Sequence, residues 1–286
     1  FVQAFIPITP LGLGLPAPDD MSYARYLAQV QTTLESARDR DFRPTLNQLD
    51  DLVNRLEVTP TAPEPVRAVE YAQVGFTLSR GIAPSARGET VQASPAAAEF
   101  PLPRHTRFYF VDAPTVDNLP QIAVYPASEY NFIYVGAIDE LRRVLSAGSP
   151  TPDVPQRLPI IPHKNKTLDA QPVLLDFANG RGLRFLAYFR GVGEPLRPIT
   201  AGRIAYVFLG LTDDGQNFVQ VLVPLTTTLF PETQPPDLDT AAFEETYNDY
   251  LAQVRRDLNT ASAQTFTPRL DILDDLVRSL EVRPGQ

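Results

Sequence analysis

The chain has 286 residues, a formal net charge of −9 and a pI near 4.8, which argues against nucleic acid as a partner because phosphate binding needs clustered basic residues. It contains no cysteine, which excludes disulfides and thiol catalysis, and no apolar run long enough to span a membrane as a helix. With 43% hydrophobic and 21% charged residues, the composition is that of a folded protein of one or two domains.

Residues 1–60 recur, in the same order, as residues 218–284. Most matches lie 224 positions apart, and the first lies 217 apart, so the loop after the first match is seven residues longer in the second copy. Matching words in a fixed order indicate that one structural element has been duplicated. The matches are Phe1–Pro7 with Phe218–Pro224, Tyr26–Val30 with Tyr250–Val254, Asp50–Val53 with Asp274–Val277, and Leu56–Val58 with Leu280–Val282.

The first copy, residues 1–60, is predicted to be a strand followed by a helical hairpin. Its apolar residues recur at helical spacing in two runs separated by a short turn. Short isolated helices are marginal in water, so the hairpin must dock on something else. The two runs are Tyr23, Tyr26, Leu27, Val30 and Leu34, then Leu46, Leu49, Leu52, Val53 and Leu56.

After a stiff, proline-rich linker at residues 61–68, residues 69–230 are predicted to form a β-rich domain. Residues 81–103 are rich in Ala, Pro, Ser and Gly and predict a long loop or arm, and Asp214–Gly215 is a strong hairpin-turn signal. One short amphipathic helix is expected at Ile138–Ala147. The strand candidates of this domain include Arg107–Val111, Gln121–Tyr125, Val173–Phe177, Leu183–Arg190, Arg203–Leu209 and Phe218–Val223.

The second copy, residues 231–286, is predicted to be another helical hairpin. Asp239 or Thr240 is expected to cap its first helix, and Thr267, followed by proline, to cap its second. The predicted fold class is therefore α+β, with a central antiparallel β domain, sandwich-like or barrel-like, flanked by two homologous helical hairpins.

Four short segments and the closing hairpin carry a resemblance to known proteins. The segments are Pro120–Pro126, Leu175–Gly180, Gly182–Leu186 and Phe208–Gly215. They resemble an uncharacterised family of secreted or lipid-anchored proteins from Chloroflexi-type filamentous bacteria, over roughly residues 69–284 and over residues 1–58 through their repeat. The resemblance implies export to the cell surface, but it carries no activity and no catalytic residues.

No motif in the sequence indicates a reaction. His105 and His163 lack metal-site spacing, Ser149 lies in a proline-bounded loop, and the glycine pairs at Gly180–Gly182 and Gly191–Gly193 fit turns better than phosphate loops. No cofactor is expected. Asp50–Asp51 and Asp274–Asp275 are interpreted as solvated acidic faces of helices.

Two further interpretations assign catalysis or ligand binding to the β domain. Paired carboxylates suffice for a hydrolase, and exposed aromatics would suit a glycan, although core packing and turn formation explain both sets more simply. The candidate carboxylates are Asp112, Glu129, Asp176, Glu194, Asp213 and Asp214. The aromatics are Tyr125, Tyr130, Phe132, Tyr134, Phe185, Tyr188, Phe189, Tyr206 and Phe208.

The leading hypothesis is a non-catalytic, extracellular or cell-surface structural protein that self-associates head to tail, for example as a filament, through its repeated terminal elements. A strand outside its own sheet has unpaired backbone groups that favour pairing with another chain. The alternatives are a remnant of an upstream tandem copy, an extracellular glycan- or peptide-binding module, and a carboxylate hydrolase. The expected interface residues are Phe1, Val2, Ala4, Phe5, Ile6, Leu27, Val30, Leu49 and Leu52.

Overall fold

The computed structural model divides the chain into two compact units, Phe1–Pro63 and Glu64–Gln286. In the first unit, strand β1 (Thr9–Pro10) pairs antiparallel with strand β2 (Phe42–Arg43). The residues that the structure describes are 9–10, 32, 37, 42–43, 66–95, 98–235 and 239–283. The helical hairpin predicted for the first copy lies outside them.

The second unit contains the remaining strands and four described α-helices. The strands are β3 (Val66–Tyr71), β4 (Val74–Ser79), β5 (Ala86–Val91), β6 (His105–Phe110), β7 (Ile122–Pro126), β8 (Lys164–Phe177), β9 (Gly180–Gly191), β10 (Ile204–Thr212), β11 (Asn217–Thr227), β12 (Phe266–Thr267) and β13 (Glu281–Val282). The helices are α1 (Ala127–Ile133), α2 (Ala137–Ala147), α3 (Thr240–Thr260) and α4 (Leu270–Arg278), with a 3-10 turn at Ala263–Thr265.

The strands of the second unit form two open antiparallel sheets. The main sheet has the order β5-β6-β7-β11-β10-β9-β8, with β12 paired to the end of β11, and the small sheet has the order β13-β4-β3. The prediction of an α+β fold with antiparallel sheets is therefore confirmed. A closed barrel is not found in the described part of the chain.

Both faces of the main sheet are covered, so its interior strand β10 is buried from end to end. On β10, Tyr206 and Phe208 face the small sheet and helices α3 and α4, while Val207 and Leu209 face α1, α2 and the loop before β8. A strand buried on both faces has a continuous apolar sequence rather than an alternating one, and Ile204–Thr212 has this character. Phe76 packs edge-on against Phe108 across the two sheets, with ring centroids 5.0 Å apart.

Helices α2 and α3 follow their sequence signals, and the start of α4 does not. Helix α2 buries Ile138, Leu141 and Val144, which recur every three residues. The side chain of Asp239 caps α3 by accepting a hydrogen bond of 3.1 Å from the backbone N–H of Ala242, as expected. The prediction that Thr267 caps the last helix is wrong, because Thr267 pairs with β11 as part of β12 and α4 begins at Leu270.

Three local predictions differ from the structure. Strand β5 lies within residues 81–103, whose composition predicts a loop, and it pairs with β6 in the main sheet. Helix α1 has no counterpart among the predicted elements, because its seven residues are too few to establish a period. Strand β3 begins at Val66, so residues 66–68 of the predicted linker belong to a strand.

Gly182 and Gly210 allow the Phe208 ring to lie close to the backbone of the sheet. A Cβ at Gly182 would lie 2.5 Å from the carbonyl oxygen of Leu209 and 2.3 Å from Phe208 Cζ. We expect Gly182→Ala to lower the free energy of unfolding by about 1–3 kcal/mol, the usual cost of overpacking. Gly202→Ala is the control, because a Cβ there meets no atom within 4 Å. Equal urea midpoints for the two variants would contradict the expectation.

Candidate functional site

Residues 239–283, which we call the docking segment, pack against both sheets of the second unit. Helix α4 buries an apolar stripe that includes Leu273, Leu276 and Val277. Strand β13 extends the small sheet by pairing with β4, and helix α3 buries Val254 and Leu258 in the same core. The segment is thus held by apolar burial and by sheet hydrogen bonds.

A buried ion pair lies in the middle of this contact. Nε of Arg184, on β9, lies 3.3 Å from Oδ1 of Asp274, on α4, and both side chains are almost fully buried. The hydroxyl of Tyr206, on β10, donates to the same carboxylate at 2.9 Å, and burial together with this charge raises the pKa of Tyr206. The exclusion of water strengthens the attraction between the two charges. It also makes the burial of either charge without its partner unfavourable.

The interpretation of Asp274 as part of a solvated acidic face is therefore wrong. Asp274 follows Leu270 by four residues and precedes Val277 by three, which places it on the buried stripe of the helix. Its neighbour Asp275 is exposed and pairs with Arg278 at 2.7 Å, so the interpretation describes Asp275 alone. The helical period was the signal that could have separated the two carboxylates.

Gln171 connects the ion pair to the end of helix α3. Its side-chain amide donates to the carbonyl oxygens of Leu258 and Ala261, at 2.5 and 2.9 Å, and its backbone N–H donates to Asn259 Oδ1 at 2.7 Å. The carbonyl of Gln171 in turn accepts from Arg184 at 3.0 Å. The last carbonyls of a helix lack their usual intrahelical donors. Gln171 donates to two carbonyls at this end, of which that of Leu258 also accepts from the Ala261 N–H at 3.2 Å.

Asn179 holds the far end of the docking segment. Its side-chain amide donates to the carbonyl of Val282 at 2.6 Å and accepts from the Val282 N–H at 3.0 Å, and the N–H of Ala178 donates to Leu280. The side chain thus reproduces the two hydrogen bonds that a neighbouring strand would make. Sequence analysis missed Gln171, Asn179, Arg184 and Tyr206 as a set, because they lie on different strands and turns and meet only in the folded sheet.

Every buried residue of the docking segment is matched by an identical residue 224 positions earlier in the chain. Exposed positions differ more, since Asp249, Arg255 and Arg278 correspond to Arg25, Gln31 and Asn54. The buried set is Tyr247, Val254, Leu258, Phe266, Leu270, Leu273, Asp274, Leu276, Val277, Leu280 and Val282. Its counterparts are Tyr23, Val30, Leu34, Phe42, Leu46, Leu49, Asp50, Leu52, Val53, Leu56 and Val58.

The strand pairing also follows the repeat. In the second unit, Thr226 pairs with Thr267 and Thr227 with Phe266. In the first unit, Thr9 pairs with Arg43 and Pro10 with Phe42, which are the matching positions at offsets of 217 and 224. The same register occurs at equivalent positions of both copies.

The other candidate residues lie at different places in the structure and have different surroundings. His105 is buried, its Nδ1 lies 2.8 Å from the carbonyl oxygen of Pro103, and burial lowers its pKa, whereas His163 is exposed. Asp214 closes the predicted hairpin turn by accepting from Thr212 and Gln216. Most of the candidate aromatics lie in the core, and Phe132 is the exposed exception. All nine expected interface residues, and Asp50 and Asp51, lie outside the described residues.

Two of the other five candidate carboxylates form ion pairs with arginines. Glu194 pairs with Arg203 at 2.7 Å and Asp176 with Arg181 at 3.1 Å. Within the described ranges, no cluster of three or more His, Asp or Glu side chains could hold a metal ion. Among the described helices, none is long and apolar enough to cross a membrane.

Comparison with known proteins gives no family model, no curated protein and no solved structure that matches the chain. The resemblance to exported proteins of filamentous bacteria therefore stays a prediction. The internal repeat and the docking contacts are the observations from which a function can be argued.

Proposed function

We propose that the protein is a non-catalytic, exported cell-surface structural protein whose units join head to tail through the repeated segment. The observation that carries the proposal is the identity of every buried residue of the docking segment with its counterpart in residues 23–58. The positions that are buried in the docking segment are identical in residues 23–58, whereas exposed positions differ. Exposure of residues 23–58 to solvent would not account for leucines and an aspartate at those identical positions. The pattern supports packing of residues 23–58 against a sheet like that of the second unit.

By sequence, the first unit matches only part of the second. Residues 1–60 match β11 and the residues C-terminal to it, and no segment within them matches the sequence of β4, β8, β9 or β10. The docking segment depends on those strands and their turns for Arg184, Tyr206 and Asn179. We infer that another unit of the same kind provides them, either in a second copy of the chain or in a tandem neighbour.

Self-assembly is tested by comparing the chain of residues 1–286 with residues 64–286 in sedimentation and electron microscopy. The longer chain is expected to form concentration-dependent oligomers or filaments, and the shorter one is expected to stay monomeric. Asp50→Ala is expected to shift the longer chain toward monomers, whereas Asp51→Ala, the matched control, is not. Monomers at about 100 μM, the range in which weak specific contacts still form, would refute assembly between separate chains.

The tandem arrangement and the exported location are each tested by a separate measurement. Mass spectrometry of the chain purified from its source is expected to detect a polypeptide longer than residues 1–286 if the neighbouring unit is in tandem. Export is tested by treating intact cells with protease, which is expected to degrade a surface protein and spare a cytoplasmic control. Protection of the protein in intact cells would contradict the proposed location.

A further inference from the structure

A cavity of about 630 Å³ lies on the face of the main sheet opposite the docking segment, and we call it the basic cavity. The turn between α1 and α2, the loop before β8 and the first residues of β8 form its walls. Its lining residues are Phe100, Tyr134, Val135, Ala137, Gln156, Arg157, Pro159, Ile160, Ile161, His163, Lys164, Asn165, Lys166 and Val192.

The charged residues that line the basic cavity are all basic, although the net charge of the chain is −9. The lining contains Arg157, His163 and both lysines of the chain, Lys164 and Lys166, and it contains no Asp or Glu. A concave surface lined by one sign of charge concentrates counter-ions, here anions. The cavity therefore differs from the rest of an acidic surface.

Three of these four basic groups have carboxylate neighbours. Lys164 pairs with Asp117 at 2.7 Å, His163 lies 3.7 Å from Glu99, and Lys166 lies 3.8 Å from Asp169. Arg157 has none: its guanidinium donates to the carbonyl of Val135 at 2.6 Å, and no carboxylate among the described residues lies within ion-pairing distance. Arg157 is thus the cation available to a ligand.

The rim of the cavity is apolar and exposed. Val135 and Val192 are 75% and 72% exposed, which places them among the most exposed large hydrophobic side chains of the described residues. Phe100, Ile160 and Pro159 continue this apolar lining. Covering such side chains releases water and is favourable at about 25 cal/mol per Å² of apolar surface.

We propose that the basic cavity binds a small organic anion, a carboxylate carried on a hydrocarbon or aromatic body. The carboxylate pairs with the free edge of the Arg157 guanidinium, whose planar fork matches two carboxylate oxygens. The apolar body lies against Val135 and Val192. A neutral molecule with the same body lacks the ion pair, and an anion without a body lacks the apolar contact.

Isothermal titration of the 286-residue chain with octanoate, and with 1-octanol as the uncharged analogue, tests the proposal. Octanoate is expected to bind more tightly than octanol and to lose affinity in high salt. Arg157→Gln is expected to weaken octanoate binding about tenfold and to leave octanol binding unchanged. Arg143→Gln, an exposed arginine on α2 outside the lining, is the matched control and is expected to bind octanoate as the unchanged chain does.

A second variant keeps Arg157 in place. Val192→Asp puts a carboxylate at the exposed rim and is expected to abolish octanoate binding, with circular dichroism verifying that each variant is folded. The proposal is overturned if octanoate does not bind the unchanged chain in the millimolar range, if octanoate and octanol bind equally, or if folded Arg157→Gln binds octanoate with unchanged affinity.

Discussion

Asp274→Ala is expected to lower the free energy of unfolding by about 3–5 kcal/mol, the usual cost of removing one partner of a buried ion pair. The substitution leaves the guanidinium of Arg184 buried without its carboxylate, and it removes the acceptor of the Tyr206 hydroxyl. Both groups lie in the centre of the docking contact, where water cannot replace the lost partner. Urea unfolding followed by circular dichroism measures the loss.

Asp275→Ala is the matched control, because it removes the neighbouring carboxylate on the same helix. Asp275 is exposed and its ion pair with Arg278 lies on the surface, so we expect a change within about 0.5 kcal/mol. The double replacement Arg184→Met with Asp274→Leu removes both charges and is expected to recover the part of the loss that comes from the unpaired guanidinium, while the Tyr206 hydroxyl stays without its acceptor. If Asp274→Ala and Asp275→Ala unfold at the same urea concentration, the ion pair does not stabilise docking.

The second large effect concerns Lys166, whose stability contribution changes with pH. Its side chain is 4% exposed, and burial lowers its pKa from 10.5 to about 8. Below pH 8 both the folded and unfolded states carry the proton. Between pH 8 and 10.5 the unfolded state keeps it while the folded state has lost it, so the contribution of Lys166 to the free energy of unfolding rises with pH, by up to about 3 kcal/mol.

Urea unfolding at pH 7, 8, 9 and 10 tests this sign by comparing the unchanged chain with Lys166→Met. The variant is expected to lack the rise, because it has no amine to deprotonate. Lys164→Met is the control, and it is expected to keep the rise, because it leaves Lys166 in place and removes a lysine that pairs with Asp117 instead. Tyrosines whose pKa values burial raises lower the free energy of unfolding near pH 10 in both proteins, so the test is the difference between the two profiles. The same pH dependence in Lys166→Met and in the unchanged chain would show that Lys166 does not titrate in this way.

Docking and the proposed assembly rest on the same kind of contact. The residues that hold the docking segment against its own sheet are the ones duplicated in residues 23–58. A second sheet of the same kind would therefore meet a segment with the same apolar residues and the same carboxylate, Asp50. Under the proposal, the exposed differences between the copies lie outside this contact, so head-to-tail joining would need no separate interface.

Hydrophobic periodicity was sufficient to predict the elements that have a regular apolar pattern. Helix α2 and most strands of the main sheet were found in this way, within a few residues of their observed bounds. Strand β5 was missed because Ala86–Val91 is a small, polar edge strand with weak alternation, and α1 because it is too short. Most of the candidate aromatics lie in the core, as interpreted, but Phe132 is exposed.

The sequence by itself was sufficient to find the duplication, the antiparallel α+β class and the apolar faces of the helices. Each of these depends on residues that are close together along the chain or on segments that recur in it. Only the tertiary structure decided that Asp274 is buried against Arg184 and Tyr206, which lie 90 and 68 positions away. It also decided that the two lysines line one cavity with Arg157. Such contacts depend on strand order in the sheet, which local periodicity does not encode.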